Sequence, residues 1–224
     1  MASGQLDYTT EIIATLSDLS LAKLDVLTTA ITRIQSLSGS VVIDYSDTTN
    51  NKAYCDSWPE YPPTTAPREI GTEFTTEQYS DLALLNNSSF WWNGANGTYT
   101  AEIFRLKKPS EISASGGMII TYRAKLNNYQ FGLGGRLYAY IWNKTTSLWE
   151  VFNNSIPSQV SFVTITKDIT NSTNYIDRSS YVYVLAVASG LNTSSPPDFH
   201  SVGTDYIEIN FTGGYYNNVI IYTP

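Results

Sequence analysis

One histidine and one cysteine are the whole supply of imidazole and thiol in 224 residues. His200 stands in a Pro- and Ser-rich stretch and Cys55 lies far from it in sequence, so neither a Ser-His-Asp nor a Cys-His arrangement has an axis to form on. Zinc needs Cys and His clustered at short spacing, and that pattern is missing. Gly132-Leu133-Gly134-Gly135 leads into a β-prone run and lacks the helix whose N-terminus would receive a phosphate, which removes nucleotide chemistry. Two carboxylates at a glycosidase separation could be drawn from the 20 acids, but no spacing singles out a pair. The sequence therefore predicts no catalytic residue, no metal site and no cofactor.

Aromatic pairs are the better candidates for recognition. Trp91-Trp92 are adjacent between Asn86-Asn87 and Asn93-Gly94, so in a strand one indole faces the core and the other the opposite side. An exposed indole can stack on a sugar ring, and the same holds for Tyr215-Tyr216 after Gly213-Gly214. Trp91, Trp92, Tyr215 and Tyr216 are the candidate glycan-binding residues; the competing structural role is to plug the ends of a sandwich or to lie in subunit contacts. Asn-X-Ser/Thr sequons fall at Asn86, Asn87, Asn96, Asn143, Asn153, Asn171, Asn192 and Asn210, none of them before residue 86. In a glycosylating host they would coat the C-terminal part and leave the N-terminal part bare.

Composition narrows the class further. Apolar residues make up 42% and aromatic ones 13%, a globular balance, while charged residues are only 15%, a profile of β-rich exterior proteins more than of cytosolic enzymes. The net charge of −7 offers no concentrated basic surface for a phosphate backbone, so nucleic acid is not an expected partner. Lys107-Lys108 is the one adjacent basic pair and reads as a solvated strand end before Pro109. A lone Cys55 closes no intrachain disulfide and leaves a bridge between chains open. Met1 to Asp7 has neither a basic n-region nor an apolar h-region, and no run is long enough to span a bilayer.

The elements that must position these residues divide the chain in three. From Leu6 to Leu37 the apolar residues recur at helical spacing within an arc of roughly 160°. Leu24, Leu27, Ile31 and Ile34 step as a heptad seam, and Ile13 and Leu16 precede it as a stutter would place them. Residues 1–40 are thus expected to be an amphipathic, coiled-coil-like helix that oligomerises or anchors, with a trimer favoured by the width of the stripe. Residues 41–72, with Pro59, Pro62, Pro63 and Pro67, read as an extended linker whose Tyr54, Trp58 and Tyr61 lie along a surface. Residues 73–224 carry short alternating runs separated by turn residues, the signature of an antiparallel sandwich of about eight strands. Arg136 to Trp142, the turn Asn143 to Ser147, and Leu148 to Phe152 form a predicted hairpin.

Leu137-Tyr138-Ala139-Tyr140-Ile141-Trp142-Asn143, Leu148 to Phe152, Asn174 to Asp177, Tyr181 to Val184 and Thr204 to Ile209 together resemble galactose-binding-like jelly-roll domains. The order of helix, linker and sandwich resembles viral surface fibre, turret and decoration proteins. The resemblance implies a mainly β, jelly-roll-type head, and it allows Asp177, Asp198 and Asp205 as Ca²⁺ ligands, although no loop spacing supports them and capping of backbone N–H groups at turns and strand ends is the favoured reading. The expected function is a non-enzymatic structural protein of a virion surface, a homo-oligomer that meets other virion proteins and host surface glycans. The alternative is a secreted carbohydrate-binding module or cell-surface adhesin, placed outside the cell.

Overall fold

The computed structural model describes residues 41–212 apart from 68–70, 111, 113, 129–134, 158–160, 192, 195–196 and 199. The chain divides into the units Met1–Gly39 and Ser40–Pro224, and the second is the subject here. Its elements run β1 (Val41–Ile43), β2 (Lys52–Trp58), β3 (Thr72–Glu73), α1 (Thr76–Leu82), β4 (Phe90–Asn93), β5 (Tyr99–Lys107), β6 (Gly117–Asn128) and β7 (Arg136–Asn143). There follow β8 (Leu148–Pro157), β9 (Val163–Ile169), β10 (Tyr181–Leu191), β11 (Thr193–Ser194), β12 (Pro197–Asp198) and β13 (His200–Thr212).

Two antiparallel sheets form a sandwich. One has the order β1-β13-β6-β9, with β4 also paired to β13, and the other β3-β2-β5-β10-β7-β8; β11 and β12 make a small ribbon. Side-chain alternation sorts each strand between two faces. On β5, Thr100, Glu102, Phe104 and Leu106 turn to the partner sheet, while Tyr99, Ala101, Ile103 and Arg105 turn outward. The inner faces meet in one core that includes Phe104, Tyr122, Ile141, Val184, Ile207 and Phe211. A second, separate cluster lies on the outer face of the six-stranded sheet. That sheet is therefore buried on both sides, which is why β10 reads as a nearly continuous apolar run and β5 is buried at almost every position although it carries Thr100, Glu102 and Arg105.

The predicted hairpin is present as β7 and β8, with Asn143 opposite Leu148. Its turn is built by Asn143, whose Oδ1 accepts the N–H groups of Thr145 (3.0 Å) and Thr146 (3.2 Å). Helix α1 begins at a capping box in which Thr75 and Gln78 exchange side-chain and backbone hydrogen bonds.

The linker expectation for residues 41–72 is corrected. This stretch supplies β1, β2 and β3 to both sheets, and β2 pairs with β5 along its full length from Lys52 to Trp58. The prolines that suggested a tether are confined to 59–67, after β2 ends. The helix expected over residues 1–40, with Ile13, Leu16, Leu24, Leu27, Ile31 and Ile34, lies outside the described residues, so the fold class stands here as an antiparallel β-sandwich with one short helix. No helix among the described residues is long and apolar enough to cross a membrane.

Candidate functional site

The outer face of the six-stranded sheet is unusually aromatic for its alternation. β7 turns Tyr138, Tyr140 and Trp142 outward, β8 turns Trp149, β10 turns Tyr181 and Tyr183, β5 turns Tyr99, and β2 turns Tyr54 and Trp58. Trp58, Ile103, Tyr140, Trp149, Leu185 and Val187 are buried there, and Tyr61, Tyr99, Tyr138, Trp142 and Tyr183 pack on them while keeping part of their surface in water. A half-buried ring is held in one orientation by its neighbours and still presents a face, which is what a stacking platform requires.

What buries the centre is the Pro-rich strap that follows β2. Tyr61 lies against Tyr99 and Tyr138, with ring centroids 5.8 Å and 5.7 Å away, and its hydroxyl is hydrogen-bonded to that of Tyr140. Burial, and then the bond to Tyr140, push the Tyr61 hydroxyl above the usual tyrosine range. Farther along, the Thr65 carbonyl accepts the indole N–H of Trp149 at 2.7 Å. The strap also closes on itself. Glu60 Oε1 accepts from Thr64 N at 2.7 Å, from Thr65 N, and from Thr65 Oγ1 at 2.8 Å. These bonds, with the Thr64 and Thr65 side chains first, hold the Glu60 carboxyl down at about 2.

Beside the strap the face is open. Trp142 meets Trp149 edge-on at 5.3 Å, and Tyr181 and Tyr183 stand 6.5 Å apart along β10. Val184 pairs with Ile141, so β7 and β10 bring Trp142 and Tyr183 side by side on adjacent strands. The Arg105 guanidinium lies 4.5 Å from the Tyr181 ring centroid and the Lys107 ammonium 5.4 Å. The surface so formed can stack flat apolar rings and offer cationic donors beside them.

Residues 40–213 match the sequence profile of a domain family described as "Uncharacterized protein, C-terminal domain". The chain belongs to this family. The family domain covers both sheets and the strap; residues 1–39 lie outside the match. No curated protein matches the sequence. Among solved structures, the domain overlaps a "xylan-binding module CBM15" at 12% identity and a TM-score of 0.44, covering 79% of this chain and 99% of that one. A second overlap, with a chain titled "CBM4 structure and function", has 10% identity and a TM-score of 0.40 over 73% and 95% of the two chains. A third is with a family 29 carbohydrate-binding module from Piromyces equi, at 11% identity and a TM-score of 0.34 over 57% and 73%.

The family domain distributes the sequence-predicted residues differently from expectation. Trp92 is half-buried, packs against the main core and donates its indole N–H to the Asp56 carbonyl at 3.4 Å, so it serves the structural role of plugging the sandwich. Trp91 pairs through its backbone with Gly203, while its side chain, like Tyr215 and Tyr216, lies outside the described residues. Asn86, Asn87, Asn96 and Asn171 are exposed and Asn210 is half-buried. Asn143 is only 5% exposed and its amide is engaged at both ends, with Nδ2 on Glu150 Oε1 at 2.7 Å, so a glycan there would break the β7–β8 turn. Asn192 and the Asn153 side chain lie outside the described residues.

Reactive groups are interior. Cys55 is buried and its thiol is pushed far above the usual range by burial and then by Glu102, which removes the bridge between chains that a lone cysteine left open. His200 is buried at the start of β13 against Gly190, not in a loop. Lys108, expected to be solvated, is buried, with its ammonium on the carbonyls of Pro109 (2.6 Å) and Ile112. Of the carboxylates allowed as Ca²⁺ ligands, Asp177 accepts the N–H groups of Ser179 and Tyr181, both at 2.8 Å, and Asp205 is ion-paired with Arg123. Among the described residues no group of three His, Cys, Asp or Glu side chains could hold a metal.

One buried carboxyl stands apart. Glu102 points into the core from β5, accepts the Thr204 hydroxyl, and Thr204 in turn meets the Tyr122 hydroxyl at 2.8 Å. Burial raises its carboxyl to about 7, against the lowering effect of the Thr204 bond. No open face reaches it, so it is a structural acid and not a general acid. The aromatic outer face as a whole is not legible in the sequence because its members are spread over five strands and the strap; the expectation that Tyr54, Trp58 and Tyr61 lie along a surface and the alternation of Tyr138, Tyr140 and Trp142 each carry a part of it.

Proposed function

We propose that residues 40–213 form a non-catalytic carbohydrate-binding module whose platform is the open part of the aromatic outer face, with Trp142 and Tyr183 as its centre and Tyr181 at its edge. The observation that carries this reading is a set of rings fixed by packing underneath and open above, with no candidate base or nucleophile among them. Sugar rings present apolar C–H faces and hydroxyl edges, which suit an aromatic surface bordered by Arg105 and Lys107. The likenesses to solved carbohydrate-binding modules lie below a TM-score of 0.5 and add nothing to this support.

Such a module works outside the cell or on a particle surface, where glycans are met. A station on a virion, contact with other virion proteins and trimeric assembly through residues 1–40 remain expectations from sequence; the module reading is preferred because its support lies within the described residues.

The test is titration calorimetry of the full chain against xylan, β-glucan and galactan oligosaccharides, beside Trp142→Ala and Tyr183→Ala. Binding by the parent and a loss of roughly ten-fold in each variant, with unchanged circular dichroism, is the expected result. Undiminished affinity in both variants would move the site elsewhere. Absence of binding across this panel and to acidic oligosaccharides alike would remove the module reading.

A further inference from the structure

Two Asn-Gly pairs, Asn93-Gly94 and Asn96-Gly97, stand at the end of β4 and in the turn that leads to β5, alike in sequence. The fold separates them. Asn93 holds its side-chain carbonyl against the Ser201 hydroxyl, and the N–H of buried Gly94 donates to Thr100 Oγ1 at 2.9 Å. Asn96 and Gly97 are instead the central residues of a β-turn, which the Thr98 N–H closes on the Ala95 carbonyl at 3.2 Å. Both are exposed, and neither the Asn96 amide nor the Gly97 N–H takes part in a hydrogen bond among the described residues. A Cβ at Gly97 would meet nothing within 4 Å, so the peptide joining the pair has open space around it. Asn87-Ser88 and Asn171-Ser172, also exposed asparagines before a small residue, are engaged as Asn93 is. The Ser88 N–H donates to Asn86 Oδ1 at 2.7 Å and the Ser172 N–H to the Gly116 carbonyl at 2.8 Å.

We infer that Asn96 is a self-modifying site, converted in the folded chain to aspartate and isoaspartate by attack of the Gly97 backbone nitrogen on its side-chain carbonyl carbon. Hydroxide removes the Gly97 amide proton, a new N–Cγ bond closes a five-membered succinimide, and the Cγ–Nδ2 bond breaks as ammonia leaves with a proton from water. Water then opens the ring. Addition at Cγ gives aspartate, and addition at the Asn96 main-chain carbonyl gives isoaspartate, with no change of oxidation state. The attack needs an uncommitted N–H, no Cβ beside the nitrogen and room for the backbone to turn, and Asn96-Gly97 supplies all three. At Asn93 the Gly94 N–H would first have to give up a buried bond, which is costly. The product carries one more negative charge and lacks the amide of the Asn96-Gly97-Thr98 sequon, so this reaction and glycosylation exclude each other.

Incubation of the full chain in mildly alkaline buffer, followed by tryptic peptide mass spectrometry and labelling with an isoaspartyl methyltransferase, tests the site. The peptide between Arg68 and Arg105 carries both pairs, so fragmentation reads them side by side. Asn96 should lose its amide, with isoaspartate among the products, while Asn93 keeps its own. Gly97→Ala should slow the loss by roughly ten-fold with unchanged circular dichroism, because a Cβ crowds the attacking nitrogen. In urea, where the fold no longer holds Gly94, the two asparagines should react at similar rates. Equal conversion of both in the folded chain, or conversion of neither, overturns the inference. An undiminished rate in Gly97→Ala overturns attack by that nitrogen.

Discussion

The indole N–H of Trp149 donates to the carbonyl of Thr65 at 2.7 Å, joining an edge strand to the Pro-rich strap across 84 positions of sequence. Trp149 is at the same time a wall of the aromatic cluster, edge-on to Trp58 and Trp142. One residue therefore fixes both the cover and the open platform beside it. Trp149→Phe keeps an aromatic ring and deletes the bond, which should cost about 1 kcal/mol and lower Tm by a few degrees. Limited proteolysis within residues 59–67 should quicken. Unchanged melting and cleavage would mean that Tyr61 alone secures the strap.

Glu60 gives the strap a pH dependence of known sign. Its carboxyl is held at about 2, below its ordinary value, by bonds from Thr64 and Thr65. The stabilisation is present above the unfolded value and fades as pH falls toward about 2. Glu60→Gln should make the strap more protease-sensitive at neutral pH and flatten its response to acid. A variant that retains the parent's acid response would assign that response to another group.

Glu102 works in the opposite direction. With its carboxyl raised to about 7 by burial, the folded state binds more protons than the unfolded one between the ordinary carboxyl value and pH 7. Stability is full below that window and declines through it, by roughly 3 kcal/mol at about 1.4 kcal/mol per unit. Urea midpoints measured from about pH 4 to pH 8 should fall with rising pH in the parent and stay nearly level in Glu102→Gln, which still offers an oxygen to Thr204. A slope of equal size in the variant would clear Glu102 of the effect.

Gly190 is a position where a methyl has no room. A Cβ there would lie 2.0 Å from the His200 imidazole, which is itself buried. Gly190→Ala should destabilise by about 1–3 kcal/mol through overpacking. Chemical denaturation beside Gly97→Ala is the comparison, since Gly97 has open space and pays only for its left-handed backbone. A smaller loss at Gly190 than at Gly97 would show that His200 can move aside.

Residues 1–40 carry the assembly expectation. Removal of residues 1–39 should leave a folded sandwich that still melts cooperatively and lacks the helical far-UV signal expected of residues 1–40, since Ser40–Pro224 is a compact unit of its own. Light scattering of the full and shortened chains should show an oligomer that becomes a monomer. A full-length chain that stays monomeric at high concentration removes the oligomerisation role from Ile13, Leu16, Leu24, Leu27, Ile31 and Ile34.

Much of the sandwich was legible along the chain. Alternation marked Tyr99–Lys107, and turn chemistry at Asn143 to Ser147 marked the hairpin of Arg136–Asn143 with Leu148–Pro157, because side-chain period and turn preference are local properties. Val41 to Tyr45 is a β-prone run and β1 lies in it, but β2 was hidden because it mixes Lys52, Asp56 and Ser57 among its apolar residues, and its burial comes from β5 and from α1, which no local pattern reports. Only tertiary structure decided the site. Trp58, Tyr61, Tyr99, Trp142, Trp149 and Tyr183 come from separate segments and meet through strand register and strap closure, whereas the adjacent pair Trp91-Trp92 drew notice by adjacency alone. The sequence by itself determined that this chain is rich in rings, poor in catalytic groups and folded as antiparallel sheets. Which rings share a face, which are covered, and where cations border them depends on contacts between residues far apart in the chain, and those the fold alone supplies.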